Sequence, residues 1–267
     1  MRHTHKRRNN VVPRTLAVVL VLYALLTACT GNNPAGREAA PADPAAALTQ
    51  AVENVRAQSS FRLLIEQLGA VYPFYVSLDQ GATQVSASMR RGEAQFVAPD
   101  ELYARVKLEL PPLPAVNVDI FAKGAVQWFR LTGGSWINFP IAEGFDPGEL
   151  VRDNGGFSKA LGQLRQIEYL GFAELIDGTR TWHLRGFADG DVINDLMFNL
   201  LAVDSENVQV DVYIDPRNGM PARLTVLVPD TATEAEPQDT QWAIEIYDLG
   251  AAPEYSLGAD GSPTQAE

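Results

Sequence analysis

The chain of 267 residues contains one cysteine, Cys29, and three histidines, two of which, His3 and His5, stand at its very start. A single cysteine excludes an intrachain disulfide framework and every paired-cysteine zinc pattern. After Cys29 only His183 remains, so a histidine-rich metal site cannot form, and a Ser–His–acid triad would have to use that one residue. Gly-x-Ser-x-Gly is absent, no glycine-rich phosphate loop follows a strand, and no fixed-period repeat runs along the chain. No metal site or cofactor motif is therefore expected, and of the catalytic pairings only a two-carboxylate hydrolase stays open as a further alternative, because 33 acids offer many pairs. Positive charge is scarce too. The net charge is −12, and the five bases before Cys29 (Arg2, Lys6, Arg7, Arg8, Arg14) have no acidic company. Without them 16 bases face 33 acids, a net of −17. Such a domain repels phosphate backbones and anionic headgroups, which excludes nucleic acid as a partner and a polybasic patch as a membrane anchor.

A long apolar run is also missing. The longest, "LAVVLVLYALLTA" from Leu16 to Ala28, has thirteen residues, against about 20 for a membrane-spanning helix. A short apolar run behind a basic flank, ending in small residues, is built like a secretory signal, and residues 1–28 are assigned that role. Arg7-Arg8 stands in "KRRNNVV", which lacks the rest of a twin-arginine pattern, so the general secretory route is expected. "Leu26-Thr27-Ala28-Cys29" resembles the bacterial lipobox: an aliphatic residue, two small ones, then cysteine. The resemblance implies that Cys29 is acylated on sulfur and becomes the mature N-terminus. One acyl chain holds a membrane only marginally, so stable anchoring takes two or three.

Residues 29–46 then read as the acylated cysteine and a flexible tether rich in Pro, Gly, Asn and Ala. Residues 251–267 have a similar composition and are expected to be a disordered tail. Between them, residues 47–250 carry the patterns of a folded domain. Leu48, Ala51, Val52 and Val55 form a helical apolar stripe, with Asp43 as its N-cap and Pro44 at the first position. Strands follow. Phe61, Leu63 and Ile65 alternate with polar neighbours. In "LYARVKLEL", Leu102, Ala104, Val106, Leu108 and Leu110 face one way and Tyr103, Arg105, Lys107 and Glu109 the other. "VQVDVYI" repeats the pattern, which gives each strand one dry and one wet face. The short links "DQGA", "RRGE", "AKGA", "IDGT" and "DPRNGMP" separate the runs and predict antiparallel neighbours. The expected fold class is α+β: a large curved antiparallel sheet of about eleven strands with a few helices packed in its concave face.

Two helical segments carry the functional question. "DPGELVRDNGGFSKALGQLRQI" predicts a short helix after Pro147 and another on which Phe157, Leu161 and Leu164 share a face. "DGDVINDLMFNLLAVD" predicts a helix from Asp191, its cap, to Val203. Val192, Ile193, Leu196, Met197 and Leu200 fall in an apolar arc of about 180°, wider than the usual stripe of about 100°. Such a helix either covers a thick core or lines a lipid cavity. "DGD" at Asp189–Asp191 lacks the ligand spacing of an EF-hand loop and reads as turn plus cap. His183 alternates with Trp182 and Leu184, which places it on the exposed face of its strand.

The order of these features is similar to the LppX/LprA/LprF/LprG family of bacterial cell-envelope lipoproteins. The pieces that carry the resemblance are the lipobox, "GGSWINFP", "FDPGELV", "DGTRTWHLRG", "VYIDPRNGMPARLTV" and "WAIEIYDLG". The resemblance implies a half-barrel like the LolA/LolB lipoprotein carriers. It also implies a cavity that holds acyl chains of lipids or lipoglycans, and no catalytic residues. Phe157, Leu161, Leu164, Val192, Ile193, Leu196, Met197 and Leu200 are then candidate lining residues. The expected partners are the membrane, through Cys29, and lipid or lipoglycan acyl chains, with an envelope transporter or receptor as a further candidate. An envelope sensor or interaction module using the same fold is the alternative.

Overall fold

In the computed structural model, residues 39–78, 83–112, 114–139, 145–197, 201–259 and 261–265 are described below. Cys29, the signal segment, most of the tether and Leu200 lie outside the described residues. The first element is α1, Pro44–Arg56, opened by the Asp43 side chain, which accepts the Ala45 N–H at 2.9 Å. It buries Leu48, Ala51, Val52 and Val55, the predicted stripe. The expected tether through Ala46 thus ends sooner, because Asp43 caps a helix that already includes Pro44.

Twelve strands follow in one sheet: β1 (Ser60–Leu68), β2 (Phe74–Leu78), β3 (Thr83–Val97), β4 (Glu101–Glu109), β5 (Val116–Lys123), β6 (Val126–Leu131), β7 (Ile137–Asn138), β8 (Arg165–Glu174), β9 (Arg180–Ala188), β10 (Val208–Asp215), β11 (Met220–Val228) and β12 (Thr240–Tyr247). Eleven of them pair in the order β7-β6-β5-β4-β3-β1-β12-β11-β10-β9-β8, and β2 pairs only with β3. Every pairing is antiparallel. The ends β7 and β8 do not meet, so the curved sheet is an open half-barrel.

Residues paired directly across two strands share a face, and this defines an inner surface. Phe61, Phe96, Leu102 and Ala122 form one inner row across β1, β3, β4 and β5. Val212, Leu224, Ile244 and Ile65 form another across β10, β11, β12 and β1. On this face sit α1, a 3-10 turn at Pro147–Val151, α2 (Gly156–Gly162) and α3 (Gly190–Leu196). The two short inner helices both begin at glycine, and for the same reason. A Cβ on Gly156, whose φ is +38°, would lie 2.5 Å from Leu150 Cα. One on Gly190 would lie 2.2 Å from the Val203 carbonyl oxygen. The layer closes so tightly on its own backbone that only a hydrogen fits.

Much of the outer face is polar and laddered. Asp119 on β5 accepts from Arg130 on β6 at 2.7 Å, and Arg105 on β4 stands opposite Asp119. Glu93 on β3 stands opposite Arg105, and Glu245 on β12 meets Arg223 on β11 at 3.4 Å. Opposite charges thus face each other across successive strand pairs.

The structure departs from the sequence reading in four further places. "RRGE" is not a link between strands. It lies inside the long β3, where the register against β4 shifts between Met89 and Gly92. Such a bulge resembles a turn in sequence because both use glycine and unpaired polar residues. The helix expected from Asp191 to Val203 runs only from Gly190 to Leu196, with Asp189 rather than Asp191 at its N-cap. Leu201 and Val203 are buried as their hydrophobicity demands, but in an irregular return segment. There the Asn194 side chain mimics a backbone partner, accepting the Val203 N–H at 2.9 Å. His183 is half-buried rather than exposed: it stacks on Tyr213 at 4.5 Å and bonds Asp211 at 2.9 Å. Finally, in place of the disordered tail expected after residue 250, the chain forms a hairpin, β13 (Tyr255–Leu257) and β14 (Pro263–Gln265).

Candidate functional site

Seven of the eight predicted lining residues come together. Phe157 and Leu161 on α2, Leu164 just beyond it, Val192, Ile193 and Leu196 on α3, and Met197 at its C-cap all join one apolar core. That core also takes in Leu184, Val210, Val212, Leu224 and Val226 from the sheet. None of the seven keeps more than 8% of its surface exposed. Phe157 meets Phe61 edge-on at 6.2 Å, and Phe61 stacks on Phe96 at 4.9 Å. The eighth, Leu200, lies outside the described residues. A half-buried ion pair between Lys159 and Asp195 ties α2 to α3 at their polar side.

The helices do not cover the inner face evenly. Beyond the Phe61–Phe96–Leu102 row, the inner face of the β4–β7 wing carries Val106, Leu108, Val116, Ile120, Phe129, Leu131 and Ile137, together with the buried Ala104 and Val118. Val106, Leu108, Ile120 and Phe129 are half-buried, while Leu131 and Ile137 are 51% and 53% exposed. Phe139 packs edge-on against Phe129 at 6.1 Å. This is an apolar wall with partial cover, and the sequence reading did not single it out. Its signal was present in "LYARVKLEL", where alternation named an inner face without saying how much of it the helices would reach. One buried polar atom of the inner layer, Trp242 Nε1, has no hydrogen-bond partner, an unusual state for a buried donor.

Titratable chemistry lies elsewhere. Burial opposes ionisation of Asp211 on the outer face, but hydrogen bonds from Arg185, His183 and Gln209 outweigh it and hold the carboxyl below its usual value. Glu101 and Asp215 behave alike: Lys123 and Arg217 overcome the burial. Asp177 is lowered mainly by the Thr179 backbone N–H. These shifts are downward, the reverse of the raised carboxyl that acid-catalysed hydrolysis uses. Among the described residues no three His, Cys, Asp or Glu side chains cluster as metal ligands, and no helix is long and apolar enough to cross a membrane.

An open antiparallel half-barrel with helices on an apolar inner face defines the structural class. The sequence carries the identification further: the model of the LppX_LprAFG lipoprotein family matches residues 43–252, and the chain belongs to that family. Among solved structures, LprF from Mycobacterium bovis is similar, with a TM-score of 0.56 at 16% identity over 79% of this chain and 94% of that one. LppX from Mycobacterium tuberculosis matches with a TM-score of 0.47 at 13% identity, over 79% and 96%. The MucA/MucB complex of Pseudomonas aeruginosa matches with a TM-score of 0.38 at 13% identity, over 84% and 64%. No curated protein matches the sequence. The likeness to LprF concerns the fold.

Proposed function

We propose that this protein is an envelope lipoprotein, anchored through acylated Cys29, that binds acyl chains of lipids or lipoglycans along its inner face and carries or presents them. The observation that carries this reading is the half-covered apolar wall of Val106, Leu108, Ile120 and Phe129, continued by exposed Leu131 and Ile137. Exposed contiguous apolar surface of this kind marks a binding site. Acyl chains would lie along that wall, beside the layer that Phe157, Leu161, Leu164, Val192, Ile193, Leu196 and Met197 pack against the sheet. Burial at about 25 cal/mol per Å² of apolar surface supplies the affinity. The unpartnered Trp242 Nε1 donor suits an ester or carboxyl oxygen near the chain head. No step in this role needs a catalytic residue.

The test is native mass spectrometry of the protein purified without its first 29 residues from a lipid-rich native host. Co-purifying lipid is expected, with its amount reduced by Phe129→Asp and Ile120→Asp. Protein that arrives empty, and takes up no lipid when offered phospholipid, overturns the carrier reading. Anchoring is tested separately: the full chain is expected in the membrane fraction and Cys29→Ala in the soluble one. Equal partition of the two would overturn acylation as the anchor.

A further inference from the structure

The chain after β12 does not hang free but lies extended over the outer face of β1, β3, β4 and β5, held by three different kinds of contact. The first reads backbone. The Gln95 side chain, almost fully buried, donates to the Ala252 carbonyl at 2.8 Å and accepts the Glu254 N–H at 2.9 Å. Ser60 adds a hydroxyl to the Ala251 carbonyl at 2.7 Å. The second reads charge. The Glu254 carboxylate sits between Arg62 and Arg105, each at 2.6 Å. The third reads shape. The Tyr255 ring enters a pocket between Phe121 and Tyr103, with centroids at 5.0 and 5.7 Å, and its hydroxyl donates to Glu101 at 2.7 Å.

A backbone clamp, a charge pair and an aromatic pocket in a row are the parts of a peptide-recognition groove. The groove residues Ser60, Arg62, Gln95, Tyr103, Arg105 and Phe121 all lie within the family match at 43–252, whereas Glu254 and Tyr255 lie beyond it. Arg62 and Arg105 converge on this one carboxylate, and Arg62 also reaches Asp248 at 3.3 Å. We infer that this outer face is a binding site for an extended protein segment bearing a glutamate followed directly by a tyrosine, and that residues 251–255 are its built-in occupant. A tail tethered this closely acts at an effective concentration of about a millimolar. A partner segment therefore enters when it displaces the tail, and the site is masked otherwise.

The experiment uses the full chain and a fluorescein-labelled peptide of the sequence Gly-Ala-Ala-Pro-Glu-Tyr-Ser-Leu, read by anisotropy. The variant Glu254→Gln/Tyr255→Ala, which disables the tail, is expected to bind this peptide at least ten-fold more tightly than the unaltered chain. Tyr255→Ala alone keeps the Gln95 clamp and both ion pairs, and serves should the double variant not fold. Replacing the peptide's glutamate by glutamine, or adding Arg62→Ala and Arg105→Ala to the protein, is expected to weaken binding at least ten-fold. Folded variants that do not bind, or binding indifferent to the two arginines, overturn the proposal. So does failure of both tail variants to fold, which makes the tail a structural strap, and so does tail exchange between two copies seen as a dimer in solution.

Discussion

Replacing Phe157 by alanine, beside a matching replacement of Phe129, separates the two parts that the inner face is given above. Phe157 is 1% exposed and wedged edge-on against Phe61, which stacks in turn on Phe96. Removing a ring from such a site costs about 3–5 kcal/mol, transfer and cavity together. In a domain of this size each kcal/mol is worth about 2–4 °C, so the midpoint is expected to fall by roughly 6–20 °C. Phe129 is half-buried on the partly covered wall and packs on Phe139. Its truncation removes less buried area and is expected to cost about 1–2 kcal/mol in lipid-free protein. The order reverses for ligand: Phe129→Ala should lose bound lipid, while Phe157→Ala should keep it. The assay is a thermal melt of lipid-free and lipid-loaded protein by circular dichroism, with lipid per chain counted by native mass spectrometry. The reasoning fails if Phe157→Ala melts within about 3 °C of the parent. It also fails if that variant loses lipid while Phe129→Ala retains it, which would put the acyl chains beneath α2.

Three further outcomes follow from individual contacts. Gly190→Ala would bring a methyl group within 2.2 Å of the Val203 carbonyl, against backbone held by the 2.7 Å bond from Gly190 to Ser205. A loss of more than about 3 kcal/mol is expected in urea melts, well above the ordinary effect of such a change. Asp43→Ala removes the cap of α1 and is expected to cost about 1 kcal/mol in the same assay. The Asp211 carboxyl is held below its usual value, so its stabilising contribution is present above the unfolded pKa of about 3.9 and disappears as pH falls through the folded value. Asp211→Asn, which removes the charge facing His183 and Arg185, is expected to cost about 2 kcal/mol near neutrality. In melts across pH, the gap between variant and parent should narrow only below about pH 4.

The sheet was legible in the sequence wherever one strand face is dry and the other wet, as in "LYARVKLEL" and "VQVDVYI". The cap at Asp43 and the stripe of α1 were legible because both are local. What escaped was decided by distant partners. The length of α3 was misread because Leu201 and Val203 continue its apolar pattern, yet Asn194 and Gly190 draw that segment back over the helix as an irregular chain. The order of the tail depends on Gln95, Arg105 and Phe121, far away in sequence. A trace of it was nevertheless visible. Tyr103, Phe121 and Trp128 place aromatic rings on the outward face of three neighbouring strands, where the wet-face rule asks for polar residues, and they form a second small core with Tyr255. Among the candidate residues, burial was foreseeable from helical spacing. The partial cover of the β4–β7 wall was not, because it depends on how far one longer helix and two short ones reach.

The charge ladder of the outer face bears on how such a shell could open and close. A strand that slipped by one residue against its neighbour would swap inner and outer faces and destroy the opposed pairs of Arg105 with Glu93 and Asp119, and of Arg223 with Glu245. The sheet is thereby pinned like a riveted plate, whose rivets lie on the side away from any acyl chain. Two of the inner helices, α2 and α3, are short, begin at tight glycine contacts, and are joined across their polar side by the Lys159–Asp195 pair. Room for a larger guest would come from a shift of this three-piece lining, with the curvature of the plate unchanged. If acyl chains bind on the inner face as proposed, one outer wall could in that way serve lipids of several sizes.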